Sequence, residues 1–238
     1  MTTQLFPANL RGKADHGWLQ ANFSFSFGNY FNPKNIQFGA LRVLNDDTIA
    51  AGAGFGTHPH DNMEIVTIPL EGALKHRDSM NNEGVIRFGE VQVMSAGTGV
   101  LHSEMNASQT DRAKTLQLWV FPDTKNVEPR YGQKSFEIES NINRFVTVVT
   151  PRDHNDGQAL WIHQDAFFSL GIFEAGQQTD YQVKLPGNGL YLFLIEGQIS
   201  ADGKILNARD ALGVTEFSTL AIDVIAKAKI LLVEVPMQ

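Results

Sequence analysis

The sequence of 238 residues contains no cysteine. Disulfide bonds and thiolate metal sites are therefore excluded, and any metal ion must be held by histidine and carboxylate side chains. Basic residues are also few: 19 Lys and Arg stand against 26 Asp and Glu, and they form no continuous run. The resulting net charge of −7 argues against a nucleic-acid backbone as the main partner.

Long apolar stretches are missing as well. No segment approaches the roughly 20 apolar residues that a membrane-spanning helix needs, and the first residues lack the charged start and apolar run of a signal peptide. We therefore expect a cytoplasmic protein with no membrane association. The composition, with 42% hydrophobic and 19% charged residues, is that of a globular protein with one large or two small domains.

Short segments of β-type pattern dominate, and little of the sequence looks helical. Residues 19–27 alternate strictly between apolar and polar and carry three phenylalanines on one face, which predicts a half-buried strand. Residues 36–44 predict a second strand, which Asn45-Asp46-Asp47 is expected to end. Residues 122–132 contain two prolines and few apolar side chains, so we place a domain boundary there and expect domains 1–132 and 133–238. The predicted fold class is all-β, built from sandwiches or barrels.

Two short clusters about forty residues apart hold the side chains best suited to chemistry. The first is His58-Pro-His60 and the second is His102-Ser-Glu104. Alternate side chains of a strand point to the same face, so the members of each pair point together. If the two strands face each other across a barrel, three imidazoles and one carboxylate converge on one divalent metal ion.

Imidazole and carboxylate ligands suit Fe, Mn, Ni, Co, Cu or Zn. Four such ligands leave one or two positions open on an octahedral ion, which a catalytic site needs. This coordination favours Fe(II) and oxygen chemistry, although affinity alone favours Cu or Ni. The competing interpretation, ordinary core or surface histidines, is the one we adopt for the histidines that stand alone: His16, His76, His154 and His163.

A second carboxylate complicates the choice of the fourth ligand. Glu64 lies at an even offset from His60, so an unbroken strand points it to the same face, whereas a bulge turns it away. Spacing alone does not decide between Glu64 and Glu104. Phe55 and Met63 flank the first cluster and belong either to the core or to a substrate pocket.

The sequence also contains a weak internal repeat. Residues 67–72 have an echo in residues 193–197, since both end in Glu-Gly, and residues 89–90 have a weaker one in residues 209–210. Equal offsets from these anchors carry the four candidate ligands onto apolar positions of the second copy: Val183, Leu185, Ile222 and Val224. We therefore expect one metal-bearing unit and one structural unit.

The candidate ligands lie in segments that resemble the two cupin motifs. Gly52-x5-His58-x-His60-x3-Glu64, followed by Gly72, is similar to the first, with the glutamate one position early. Gly89 through Gly99-x2-His102-x3-Asn106 is similar to the second, with Ser95 where proline is usual. More narrowly, nearly the whole chain resembles the pirin family, and within it the short bacterial pirin-like proteins. The phrases that carry this resemblance are His16-Gly-Trp18, Phe25-Ser-Phe27, Ala40-Leu-Arg42-Val, Gly56-Thr-His-Pro-His60, Met63-Glu-Ile, Leu70-Glu-Gly72, Met94-Ser-Ala-Gly-Thr-Gly99, His102-Ser-Glu104, Pro129-Arg130-Tyr131 and His163-Gln-Asp165.

The resemblance implies a bicupin of two facing β-sandwich barrels, with metal only in the N-terminal one. It implies His58, His60, His102 and Glu104 as the metal ligands, and iron as the usual ion. Some pirins act as quercetin 2,3-dioxygenases, which open a flavonol ring with O2 and release CO. In such a reaction Glu104 is expected to act as the catalytic base that removes the proton of the substrate's 3-hydroxyl group.

The function we expect is therefore that of a flavonol dioxygenase, acting as a monomer on a small aromatic substrate and O2. One alternative is a non-catalytic regulator whose metal or redox state changes its affinity for protein partners, as described for other pirins. Another is a cupin isomerase or hydrolase that uses the metal only as a Lewis acid. Consumption of O2 during turnover separates the first function from both others.

Overall fold

The computed structural model describes residues 1–237. Twenty strands form nearly all of its regular structure, with two short 3-10 helices at Ala8–Leu10 and Arg152–His154. The strands up to the middle of the chain are β1 (Thr2–Phe6), β2 (Gly12–Asp15), β3 (Leu19–Phe23), β4 (Leu41–Ile49), β5 (Gly54–His60), β6 (Glu64–Glu71), β7 (Ala73–Asp78), β8 (Glu83–Arg87), β9 (Glu90–Ser95), β10 (Val100–Asn106) and β11 (Ala113–Val120). The remaining strands are β12 (Arg130–Ser135), β13 (Arg144–Pro151), β14 (Leu160–Ile162), β15 (Phe167–Phe173), β16 (Gln178–Gln182), β17 (Asn188–Ala201), β18 (Lys204–Asn207), β19 (Ala211–Thr215) and β20 (Thr219–Pro236). No helix within residues 1–237 is long and apolar enough to cross a membrane.

The strands form two barrels that repeat one arrangement. In the first barrel a four-stranded sheet, β5-β10-β7-β8, lies against a seven-stranded sheet, β12-β9-β6-β11-β4-β3-β2. In the second, β16-β20-β17-β18 repeats the small sheet, and β1-β19-β17-β20-β15-β13-β14 repeats the large one, because the long strands β17 and β20 take part in both layers. The predicted all-β bicupin is confirmed.

The N-terminal strand does not join the barrel formed by the strands that follow it in sequence. β12 pairs with β9 in the first barrel, and β1 takes the equivalent edge position beside β19 in the second barrel. The N-terminal strand therefore completes the C-terminal barrel. The division into residues 1–132 and 133–238 stays a prediction, and β12 (Arg130–Ser135) runs across that position.

The repeated phrases mark equivalent turns. Gly72 and Gly197 both have positive φ, 72° and 91°, where the chain passes from the large sheet to the small one. The strand pairing, however, corrects part of the correspondence that equal sequence offsets predicted between the two copies. His102 lies opposite His58, and Ile222 lies opposite Thr179 in the same way. The counterparts of the first histidine pair are therefore Thr179 and Tyr181, rather than Val183 and Leu185, because the link from β16 to β17 is longer than that from β5 to β6.

The interiors of the two barrels differ in character. Sixteen buried apolar side chains, among them Leu192, Ile222 and Val224, pack into one cluster in the second barrel. Within the described part of the first barrel, two separate clusters contain only six and four buried apolar side chains. Buried polar groups occupy the space between them. A fourth and larger cluster lies between the barrels and includes Val66 of β6 and Phe168 of β15.

One strand departs from the prediction. β4 (Leu41–Ile49) continues through Asn45-Asp46-Asp47, so the expectation that these residues end a strand is wrong. β4 pairs along this whole stretch with β3 on one side and β11 on the other, and this backbone ladder outweighs the poor strand propensity of the three side chains. The alternating aromatic segment is only partly strand, since β3 ends at Phe23 and Phe25 lies in the following loop.

Candidate metal centre

Three of the predicted ligands lie side by side on two paired strands. β5 and β10 are antiparallel neighbours, with His102 opposite His58 and Val100 opposite His60. One ring nitrogen from each of the three histidines lies within 4.8 Å of the other two. The histidines therefore meet through pairing within one sheet, and the expectation that their strands face each other across the barrel is wrong.

The three rings have the chemistry that a divalent metal ion requires. Burial, followed by the neighbouring imidazoles, lowers the pKa of His60 to about 4 and that of His102 to about 3, so both rings are neutral at pH 7. Neutral imidazole is the form that binds metal. Both ring nitrogens of His102 and Nε2 of His60 are buried without a hydrogen-bond partner among residues 1–237. A metal ion would satisfy nitrogen atoms that the fold leaves unpaired.

The third ring is oriented by its own strand. Nδ1 of His58 donates to the carbonyl oxygen of Gly56 at 2.8 Å, which leaves Nε2 free to bind a metal. Next to this pair the register of β5 and β10 shifts between His102 and Glu104. Gly54 permits the close approach of the strands there, because a Cβ atom at position 54 would collide with the carbonyl oxygen of Glu104.

Glu104 is buried beside the histidines but lies outside the group of ligand atoms that meet within 4.8 Å. Its two carboxylate oxygens accept hydrogen bonds from Nε2 of Gln117 at 3.0 and 2.9 Å, and Oε1 also accepts one from Thr67 at 3.2 Å. Trp119 in turn donates to Oε1 of Gln117 at 3.3 Å. These contacts fix the position of the carboxylate from the opposite sheet. Its ligation of a metal stays a prediction.

The other carboxylate candidate belongs to a different sheet. β5 ends at His60, the chain turns at Asn62 with φ of 45°, and Glu64 begins β6. Its carboxylate accepts a hydrogen bond from Ser95 at 2.7 Å and is not part of the histidine group. Burial raises the pKa of Glu64 to about 7 in spite of the hydrogen bonds from Ser95 and the backbone of His163.

A histidine that we had assigned to the ordinary core lies next to the site. The ring of His76 on β7 is 5.4 Å from that of His102, centroid to centroid, and its Nε2 donates to Asp78 at 3.2 Å. Both residues are buried. The i, i+2 spacing of His76 and Asp78 was the available sequence signal, because it resembles that of the two ligand clusters. In the pairing of β7 with β10, Asp78 lies opposite His102 and His76 lies opposite Glu104.

A cavity of about 840 Å³ opens beside the histidines. Its size is within the roughly 300–1,000 Å³ of small-molecule sites. Aromatic walls line it, including Trp18, Phe23, Phe55 and Trp119, and His58 and Glu104 contribute polar groups. Phe55 therefore lines the cavity and also packs against the core cluster that contains Phe23, and its contact with a substrate stays a prediction. Met63 instead packs with Ile65 and Met94 in the core. Of the lone histidines, His16 also lines the cavity.

The double barrel, with one polar interior that contains a histidine cluster and one apolar interior, defines a bicupin, and residues 1–237 contain a single candidate metal centre. The chain belongs to the pirin family: a family model described as Pirin matches residues 7–120, and one described as Quercetinase C-terminal cupin domain matches residues 147–235. The quercetin 2,3-dioxygenase of Escherichia coli K12 is 38% identical over 96% of this chain and 96% of its own length. A pirin-like protein of Caulobacter vibrioides is 38% identical over 96% of this chain and 97% of its own.

Solved structures agree with this assignment. The crystal structure of YhhW from Escherichia coli matches with a TM-score of 0.94 at 38% identity, and covers 100% of this chain and 99% of that one. A second structure of that bacterial pirin, in complex with nickel(II), matches with a TM-score of 0.93 at 37% identity over the whole of both chains.

Proposed function

We propose that this pirin-family protein is a metal-dependent dioxygenase that opens the ring of a flavonol such as quercetin with O2 and releases CO. The observation that carries the proposal is the group of three histidine rings beside an aromatic-walled cavity of about 840 Å³. Nε2 of His60 and both ring nitrogens of His102 are buried there without a hydrogen-bond partner among residues 1–237. The names of relatives that align over nearly the whole chain support the same reaction class.

In this proposal His58, His60, His102 and Glu104 hold the ion, and Fe(II) is the ion we expect, with Mn, Ni, Co, Cu and Zn as alternatives. When bound, the ion supplies Lewis-acid polarisation of a substrate oxygen and the redox chemistry that O2 requires. His58 is held in one orientation by Gly56, so its Nε2 is ready for binding without further rearrangement.

Glu104 is the general base of the proposed reaction. A flavonol must lose the proton of its 3-hydroxyl group before the ring reacts with O2, and a carboxylate beside the three histidines could accept that proton. Gln117 and Thr67 hold both oxygens of Glu104 from the opposite sheet, which limits the rotation of the carboxylate. The aromatic walls orient the flat rings and exclude water from them.

The test is anaerobic loading with Fe(II), addition of quercetin and then air, with loss of flavonol absorbance and release of CO as the readouts. His102→Ala is expected to lose both metal and activity. His154→Ala, at an exposed histidine of the second barrel, is the matched control and is expected to keep both. Bound metal without turnover in the unsubstituted protein would contradict the proposal and favour the non-catalytic regulatory function.

A further inference from the structure

Two adjacent aspartates on β4 have opposite environments. Asp46 is buried with two cationic partners, since its Oδ2 lies 3.3 Å from both Arg11 and Arg209. Asp47, which is 4% exposed, lies on the other face of the strand and lines the cavity. Within residues 1–237 its Oδ1 is buried without a hydrogen-bond partner, and no ion pair reaches the carboxyl group.

An unpartnered carboxyl group in the middle of a sheet destabilises the fold. Burial, followed by the charges of Asp46 and Glu104, raises the pKa of Asp47 to about 8, so the group stays neutral at pH 7 and has a proton to donate. In the sheet its neighbours are Ala21 on β3, which has no polar side chain, and Thr115 on β11, whose hydroxyl group donates to the carbonyl oxygen of Ile68 at 3.3 Å. A group that the fold does not use is best explained by a ligand that does.

The position of Asp47 in the cavity indicates which part of a bound ligand it would contact. Asp47 lies on the large sheet, whereas the three histidines lie on the small sheet and the cavity is between them. The cavity walls around it are aromatic and include Phe23 and Trp119. A flat ligand held at one end by the metal centre therefore presents a different edge to Asp47.

We propose that Asp47 is a specificity-determining residue that hydrogen-bonds a phenolic hydroxyl group of a flavonol other than the 3-hydroxyl group at the metal centre. This inference rests on the proposed function and narrows its substrate class to polyhydroxylated flavonols. It also gives the buried, unpartnered carboxyl group of the first barrel a role in recognition rather than in folding.

Two ligands separate recognition by Asp47 from binding through the 3-hydroxyl and carbonyl pair alone. Quercetin has hydroxyl groups on both outer ring systems, whereas 3-hydroxyflavone keeps only the 3-hydroxyl and carbonyl pair that would face the metal. Binding to the nickel-loaded protein under argon is followed through the fluorescence of Trp18 and Trp119, which line the cavity. The unsubstituted protein is expected to bind quercetin at least about tenfold more tightly than 3-hydroxyflavone. With 3-hydroxyflavone bound, the carboxyl group of Asp47 would stay buried without a hydrogen-bond partner, which weakens binding.

The substitution Asp47→Leu is expected to weaken quercetin binding about tenfold and to leave 3-hydroxyflavone nearly unchanged, so that the discrimination disappears. Asp47→Asn keeps a hydrogen-bond donor and is expected to retain part of the discrimination between quercetin and 3-hydroxyflavone. Because nothing in the fold depends on the carboxyl group, neither variant should melt below the unsubstituted protein. Asp46→Asn, which removes a partnered carboxylate, is the control that should.

The outcomes that contradict the inference differ from those that contradict the proposed function. If the unsubstituted protein turns over quercetin and both Asp47 variants keep its preference over 3-hydroxyflavone, the recognition role is wrong and the dioxygenase stands. Melting of both Asp47 variants at lower temperature would assign the carboxyl group to the fold and also overturn the inference. If the unsubstituted, metal-loaded protein neither binds nor converts quercetin, the proposed function itself fails.

Discussion

Glu64 is a buried carboxyl group whose ionisation the fold opposes, so replacing it by glutamine should change how stability depends on pH. Burial raises its pKa from the ordinary 4.5 to about 7. The folded protein therefore holds this proton more tightly than the unfolded chain does, and stability falls as pH rises between these two values. A pKa difference of this size corresponds to roughly 3 kcal/mol of unfolding free energy.

The change Glu64→Gln removes this ionisable group but keeps the volume and a hydrogen-bond acceptor for Ser95. The unfolding free energy of the variant relative to the unsubstituted protein should therefore rise by about 2 to 3 kcal/mol between pH 5 and pH 8. Urea denaturation of the metal-free protein at both pH values measures it. Glu71→Gln, at the exposed end of the same strand, is the matched control. Hydrogen bonding and charge from Lys114 lower the pKa of Glu71, so its replacement should give a small change of opposite sign.

Metal content adds a second readout to the same variant. Glu64 accepts its hydrogen bond from Ser95 in the large sheet and is not part of the histidine group, so Glu64→Gln should bind metal as the unsubstituted protein does. A relative stability that does not change between pH 5 and pH 8 would refute the pKa argument. Loss of metal would refute the assignment of Glu64 to a structural position, and would make it a ligand.

Three further substitutions test the site and the repeat. Gln117→Leu should lower metal affinity about 10- to 100-fold in a metal titration, because it removes the donor that orients Glu104; unchanged affinity would argue against Glu104 as a ligand. His102→Ala should leave less than stoichiometric metal in elemental analysis of the loaded protein, and full occupancy would exclude it from the centre. Gly197→Ala should cost about 2 kcal/mol more unfolding free energy than Gly203→Ala. Both have positive φ, but a Cβ atom at Gly197 meets the Lys227 carbonyl oxygen, whereas that at Gly203 meets open space; equal losses in urea denaturation would contradict this packing argument.

The candidate ligand pairs could be predicted from sequence because the geometry within each pair is local. On any strand, i and i+2 point to the same face, so His58 and His60 needed no knowledge of the fold to be grouped. What joins them to His102 is the pairing of β5 with β10, a contact between distant segments that spacing does not encode. Spacing within one segment therefore grouped His58 with His60 correctly, but the convergence of this pair with His102 depends on strand pairing, and Glu104 as a ligand stays a prediction.

The surroundings of the site depend entirely on such distant contacts. Gln117 reaches Glu104 from the opposite sheet, and nothing in the composition of β11 marks it as different from any other strand glutamine. Asp47 was misread for a related reason: turn propensity is a local signal, and pairing of β4 on both sides overrides it. In both cases a polar residue within a strand was the detectable feature, and the structure places both residues on the wall of the cavity in the first barrel.

The contrast between the two barrels explains why only one of them is expected to hold a metal. At the positions equivalent to His58, His60 and His102 the second barrel has Thr179, Tyr181 and Ile222. Missing ligands are only half of the difference, because the sixteen-residue apolar cluster fills the space that the cavity occupies in the first barrel. Three imidazoles placed there would be buried without hydrogen-bond partners and without room for an ion or a substrate. Their burial would lower the stability of the fold, and no bound ligand could compensate for it. The same β-framework is therefore stabilised by apolar packing in one copy, whereas in the other it carries unpaired polar groups around a cavity.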